Sequence, residues 1–122
     1  MPIFVVQFHK AKTDHYDFRL EINNILKSWA IPKQPPKRKG IKRLAIAVEN
    51  HSLNYSKFEG KITEGYGKGT VKIWDKGTYK LESKKSDKIV FYLKGKKLKG
   101  KYVLIKTKFG DKRKNNWLFF KV

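Results

Sequence analysis

Cysteine is absent from this chain, which excludes disulfides, zinc–thiolate centres and thiol nucleophiles. Any metal must therefore be held by His, Asp, Glu, backbone or water. Acidic residues are scarce. Ten Asp+Glu face thirty Lys+Arg, a formal charge of +20 over 122 residues. Such an excess repels itself in the compact state unless a polyanion is near, and nucleic acid is the first candidate. Arginine is scarce too: Arg19, Arg38, Arg43 and Arg113 are the four, and the other 26 basic residues are lysines. Lysines spread this widely read partly as a solubility device, whereas so few arginines read as positional. No apolar run approaches the roughly 20 residues of a membrane span. There is no amphipathic basic helix, and residues 1–8 lack a signal-peptide layout. The expectation is one soluble cytoplasmic domain, a monomer away from membranes, that meets DNA or RNA.

What is present is strand pattern. Ile3–His9 is β-branched and aromatic, and Tyr16–Ile22 alternates with Tyr16, Phe18, Leu20 and Ile22 on one face. Asn23-Asn24 signals a turn into Ile25–Ile31. Leu44–His51 alternates again, with Ala45, Ala47, Glu49 and His51 on one side. Their small alanines suggest room there for a ligand. Further strands are expected at Lys57–Ile62, Thr70–Trp74, Thr78–Leu81, Lys88–Leu93, Tyr102–Thr107 and Trp117–Val122, with a short helical turn near Ser52–Lys57. The pattern predicts an all-β fold, a compact antiparallel β-barrel of about eight strands with little helix. Trp29, Trp74 and Trp117 read as core or wall residues. Gly65, Gly67 and Gly69 read as a tight hairpin before a phosphate cradle.

Chemistry concentrates in two short segments. His15, Asp17 and Arg19 alternate, so all three share a strand face, and a five-residue loop lets His9 face them across a hairpin. Two imidazoles and a carboxylate suit Mn²⁺, Fe²⁺, Co²⁺ or Zn²⁺. A cation as close as Arg19 calls for an anion between it and the metal, and phosphate is the natural one. Glu21 lies on that face and could orient a histidine from behind. His51, with Glu49 before it and Tyr55 after it, is a second candidate group. The competing readings are a solvated polar strand face, an Fe²⁺ oxygenase with the same triad, and a non-catalytic basic nucleic-acid-binding barrel.

The segments FVVQFHKAKTDHYDFRLEINNILKSWAIPKQP, KRLAIAVENHSLNYSKFEG and YGKGTVKIWDKGTY resemble the 3′-phosphoesterase domain of bacterial DNA ligase D and its stand-alone archaeal relatives. The similarity is near-continuous from Phe4 to Tyr79, and residues 1–122 read as a single such domain. The resemblance implies a Mn²⁺-dependent hydrolase, with Co²⁺ or Zn²⁺ as alternatives. It implies action on DNA 3′ ends at a primer-template or nick. A terminal 3′ ribonucleoside or a 3′-phosphate would be removed to leave a 3′-OH. By position, His9, His15 and Asp17 match metal ligands. Arg19, Arg43, His51 and Lys33 match phosphate-binding positions, and Arg19, Arg43, Glu49, His51 and Tyr55 match catalytic ones. The family's usual V-E-D-H reads V-E-N-H here, with Asn50 removing a charge beside His51. The loop at EGYGKG is one residue shorter than usual. An N-terminal arm is missing before Phe4, so one of the two activities is expected to suffer. A ligase or polymerase is expected in trans.

Overall fold

Runs of β-branched and aromatic residues broken by Gly, Asn and Lys-rich turns favour hairpins, and hairpins build this molecule. The computed structural model describes residues 1–65, 68–107 and 115–122. The strands are β1 (Ile3–Lys10), β2 (His15–Ile22), β3 (Ile25–Ile31), β4 (Lys42–Ser52), β5 (Gly60–Ile62), β6 (Gly69–Lys84), β7 (Lys88–Lys94), β8 (Lys99–Lys106) and β9 (Asn116–Lys121). Helix is confined, among the described residues, to one 3-10 turn at Leu53–Lys57. Eight strands run in the order β1-β2-β3-β4-β9-β8-β7-β6, all antiparallel, and β6 returns to β1 to close the barrel. Closure pairs the first half of β6 with β1 and so removes that edge. The short β5 hangs on β6 outside the ring. The expected all-β barrel is thus what forms.

Asn23 and Asn24 both take positive φ, 53° and 64°, as a two-residue turn of the primed kind demands, and Ile22 pairs with Ile25 across it. Two expected strands, Thr70–Trp74 and Thr78–Leu81, are instead halves of the 16-residue β6. Its first half pairs with β1 and its second with β7, so one strand must serve two neighbours. Trp74 is the extra residue of a bulge, because Val6 faces Asp75 while Gln7 faces Ile73. The strand expected at Lys57–Ile62 shrinks to Gly60–Ile62, since the 3-10 turn takes Lys57.

Inside, Phe18 stands at the centre of an aromatic core, with ring centroids 4.7 Å from Phe119, 5.9 Å from Phe91, 6.2 Å from Phe4 and 6.3 Å from Trp29. Ala45 and Ala47 face this core, opposite Trp117 and Trp29, so their small size makes room for indoles rather than for a ligand. Leu44 and Val48 are the exposed large apolar residues of that strand.

Asp75 locks the β7–β8 hairpin to the barrel. Its carboxylate accepts from the backbone N–H groups of Lys76, Lys96, Lys97 and Leu98 at 2.8–3.1 Å. A Cβ at Gly95 would overlap Asp75 Oδ2 and the Phe4 ring, and neither can move: the carboxylate is held by four donors across its two oxygens, and the ring lies in the core. Gly95→Ala should therefore destabilise the barrel by about 2–3 kcal/mol, lowering the melting temperature by on the order of 10 °C in calorimetry. An unchanged melting point would show the hairpin tip to be loose.

Candidate metal centre

Alternation along β2 sends Phe18 and Leu20 into the barrel and Asp17 and Arg19 to its outer face. An outer face is ordinarily solvated, yet His9, Asp17 and Arg19 are 7%, 7% and 3% exposed, and Gln7 and Ser28 are fully buried with them. The cause is the segment running from the 3-10 turn to Phe58, which lies across this face. Gln7 Nε2 donates to the carbonyls of Tyr55 at 2.8 Å and Phe58 at 3.1 Å, and the Tyr55 ring covers the Arg19 guanidinium with its centroid 4.8 Å from Cζ. The solvated-face reading of these residues is thereby overturned.

Register brings the triad together. Gln7 faces Asp17 across β1–β2 and His9 faces His15. One ligand atom from each of His9, His15 and Asp17 lies within 4.8 Å of the other two. His15 Nε2 is 3.3 Å from Asp17 Oδ1, His9 Nδ1 is 4.0 Å from Asp17 Oδ2, and the imidazole centroids are 4.8 Å apart. Ligands on an ion with bonds of about 2.1 Å stand roughly 3–4 Å apart, so a small inward closure of these side chains fits a divalent cation. The Thr13 carbonyl, 3.2 Å from His15 Nδ1, can only accept. It therefore fixes the proton on Nδ1 and leaves the Nε2 lone pair facing Asp17. When Nε2 is protonated as well it donates to Asp17, and that hydrogen bond holds the His15 pKa above the ordinary value against the opposing effect of burial.

Arg19 is fastened beside the triad. Its Nε donates to Gln7 Oε1 and its Nη1 to Ser28 Oγ, both at 2.7 Å, and Nη2 is 3.4 Å from Asp17 Oδ2. Burial pulls its pKa down while Asp17 pushes it back up. With two of five N–H groups in hydrogen bonds and a third turned to Asp17, two remain for a ligand.

The second group is brought near by stacking. The His51 imidazole lies 4.3 Å from the Tyr55 ring, making a column of His51, Tyr55 and Arg19. A bulge in β4 opposite Lys27 shifts the alternation, which carries His51 to the outer face. Burial first, then Arg19, lower the His51 pKa below its ordinary value. With no anion beside it, this favours the neutral imidazole. Titration by NMR should show His51 protonating below its usual range, with a bound phosphate moving it upward; a value at or above the ordinary one without phosphate would contradict this geometry.

Other candidates lie elsewhere. Glu49 is exposed on the β4 bulge. Arg43 shares the inward parity of Ala45, and its Nε donates to the Gln34 carbonyl at 2.8 Å. It lines an open recess of about 220 Å³ with Pro32, Lys33, Lys42 and Leu44. Glu21 accepts from the Ile3 N–H rather than from a histidine. Gly69 is glycine because its backbone passes against Lys10 and Ala11; Gly67 and Arg113 lie outside the described residues. Gln7 and Ser28, both integral to the site, were missed. Their signal is one amide or hydroxyl side chain in each of two largely apolar strands, Gln7 in IFVVQFHK and Ser28 in ILKSWAI.

Residues 7–106 match the family described as the DNA ligase D 3′-phosphoesterase domain. The chain is 46% identical over 114 residues to the multifunctional non-homologous end joining DNA repair protein LigD of Mycobacterium tuberculosis, covering 89% of this chain and 15% of that protein. It is 43% identical over 124 residues to the multifunctional non-homologous end joining protein LigD of Pseudomonas aeruginosa, covering 97% of this chain and 15% of that one. For the protein of the same name in Mycolicibacterium smegmatis, identity is 39% over 127 residues, with 94% and 16% covered. The chain thus spans about a sixth of the length of these relatives.

Proposed function

The chain belongs to the DNA ligase D 3′-phosphoesterase domain family, and from that premise we propose that it is a metal-dependent phosphoesterase that heals DNA 3′ ends. It removes a terminal 3′ ribonucleoside by phosphodiester cleavage, a 3′-phosphate by monoester cleavage, or both, and leaves a 3′-OH. The observation that carries this reading is the convergence of His9, His15 and Asp17 beside a buried, immobilised arginine. Two imidazoles and a carboxylate without sulfur suit Mn²⁺, with Co²⁺ or Zn²⁺ as alternatives. When bound, such an ion supplies charge neutralisation and Lewis-acid polarisation of a phosphoryl oxygen.

The chain's own residues do the rest. Arg19, held by Gln7 and Ser28, presents fixed donors to the charge that develops on the phosphoryl oxygens. Tyr55 covers Arg19 and excludes water from its face, which strengthens that interaction. Neutral His51 gives one hydrogen bond to the phosphate; a phosphate dianion raises its pKa, after which it can hand a proton to the leaving oxygen. Arg43 and Lys33, around their own recess, hold a second phosphate of the strand. Glu49 acts from outside, favouring the protonated form of His51. DNA ends are the substrate, a ligase or polymerase uses the product, and residues 1–122 act as one domain.

The test is incubation of a primer-template bearing a 3′-phosphate, and another bearing one terminal ribonucleotide, with Mn²⁺ or EDTA, identifying end groups over time. Accumulation of 3′-OH with Mn²⁺ alone is expected. Equal cleavage in EDTA, or full activity in His9→Ala, would overturn the metal-dependent mechanism, and no cleavage under any condition would leave a nucleic-acid-binding barrel.

A further inference from the structure

Of the three tryptophans, Trp29 and Trp117 are 0% and 6% exposed, whereas Trp74 packs on the core with part of its indole in solvent. The Tyr16 ring meets Trp74 at 5.6 Å, nearly perpendicular, and the ammonium groups of Lys97 and Lys37 stand 4.5 and 5.8 Å from the indole centroid. Tyr16 in turn packs on Phe8 at 4.8 Å, and exposed Lys72 pairs with Phe8 across β1–β6. Three half-buried aromatics and three exposed lysines therefore share one mouth of the barrel. The adjacent carboxylate, Asp75, is turned away and saturated by four backbone donors. Lys37 comes from the loop after β3 and Lys97 from the β7–β8 turn, so two separate segments bring ammonium groups to one ring.

Interleaved aromatics and cations suit a flexible polyanion that carries flat rings. Every nucleobase has a face to stack, and the phosphates on either side need neutralising. An exposed ammonium over an indole is held more weakly than a stacked base, so a base can displace Lys37 or Lys97 and leave that lysine free to meet a phosphate. Tyr16 lies between His15 and Asp17, so the platform and the triad occupy opposite faces of the same three residues of β2. His15, the most open member of the triad, stands at the strand end that separates them.

We propose that this mouth is a platform for an unpaired nucleic-acid strand, with a base stacked on Trp74 and flanking phosphates held by Lys37, Lys72 and Lys97. This rests on the reading of the chain as an enzyme of DNA ends, and adds where the strand lies as it approaches the triad.

With two of three tryptophans buried, quenching of intrinsic fluorescence reports on Trp74. Titrating the protein with a ten-residue oligothymidylate in EDTA at low salt should quench emission in step with binding followed by anisotropy. Inorganic polyphosphate should compete for binding without quenching. Trp74→Leu should remove the quenching and weaken oligothymidylate binding roughly 5- to 100-fold. Should that variant fail to fold, Lys72→Gln with Lys97→Gln leaves the core untouched and should weaken binding and reduce the salt slope by about 0.7 per lysine. Lys80→Gln with Lys84→Gln, on the far half of β6, should do neither to the same degree. Saturating binding with unchanged fluorescence, equal quenching by polyphosphate, or equal losses from the two lysine pairs would overturn the platform. Cleavage of 3′-phosphate ends by the wild type without quenching would reject the platform alone. Quenching without Mn²⁺-dependent cleavage would reject the enzymatic reading alone.

Discussion

Asp17→Ala should lose Mn²⁺-dependent cleavage and destabilise the fold in one step. Asp17 supplies the one carboxylate of the triad, so its removal leaves two imidazoles and should weaken metal binding by at least 10–100-fold, the scale seen even for changes behind a metal ligand. The fold suffers because Arg19 is 3% exposed and has its guanidinium 3.4 Å from Asp17. Removing one partner of a buried pair strands the other charge, at a cost of about 3–5 kcal/mol. Asp17→Asn separates the two effects. It keeps the shape and an acceptor for Arg19, so the melting temperature should fall much less, while the metal loses a charged ligand. Thermal denaturation and isothermal titration with Mn²⁺ measure the two arms. An Asp17→Ala protein with wild-type melting and wild-type cleavage would contradict both the buried pair and the metal site.

Much of this site was legible in the sequence because it depends on strand parity. His15, Asp17 and Arg19 alternate, and a short hairpin puts His9 opposite His15, so register alone assembles the triad. Burial was not legible. In the sequence Asp17 and Arg19 look like a polar outer face, and they become interior only because residues 53–59 return across β1–β3. That return is a long-range contact, fixed by Gln7 over sequence separations of 48 and 51 residues, and no local pattern announces it. Parity also misled where bulges intervene. The β4 bulge puts His51 on the outer face while Ala45 and Ala47 face the core, so one apparent stripe is two. Trp74 projects into the mouth of the barrel from a similar bulge in β6. Family resemblance named Arg43, Lys33 and Glu49 without their surroundings. In the fold Arg43 is tied to the Gln34 carbonyl beside a recess of its own, so the two candidate arginines sit on opposite parities of their strands.

Gln7 joins these observations, and its substitution carries the second large effect. Its side chain makes three hydrogen bonds: it accepts from Arg19 Nε and donates to the Tyr55 and Phe58 carbonyls. It is 0% exposed, so no water can replace a lost partner. Gln7→Leu leaves a charged donor and two carbonyls without it. The expected loss is about 2–4 kcal/mol, or a melting temperature lower by on the order of 10 °C. Gln7→Glu is the sharper test. A carboxylate still accepts from Arg19, and more strongly, but cannot donate, and it repels the two carbonyls that anchor the turn. The barrel should therefore stay folded while residues 53–59 loosen. Amide hydrogens of Tyr55 and Phe58 should exchange faster, Tyr55 should no longer cover Arg19, and turnover should fall roughly 10–100-fold, with Mn²⁺ affinity near that of the wild type. Turnover should respond more than KM, because the displaced groups, Tyr55 and the His51 stacked on it, are those proposed to act on the developing charge. If Gln7→Glu exchanged and turned over like the wild type, the column of His51, Tyr55 and Arg19 would not depend on this amide, and the overlying turn would have to be held by packing alone.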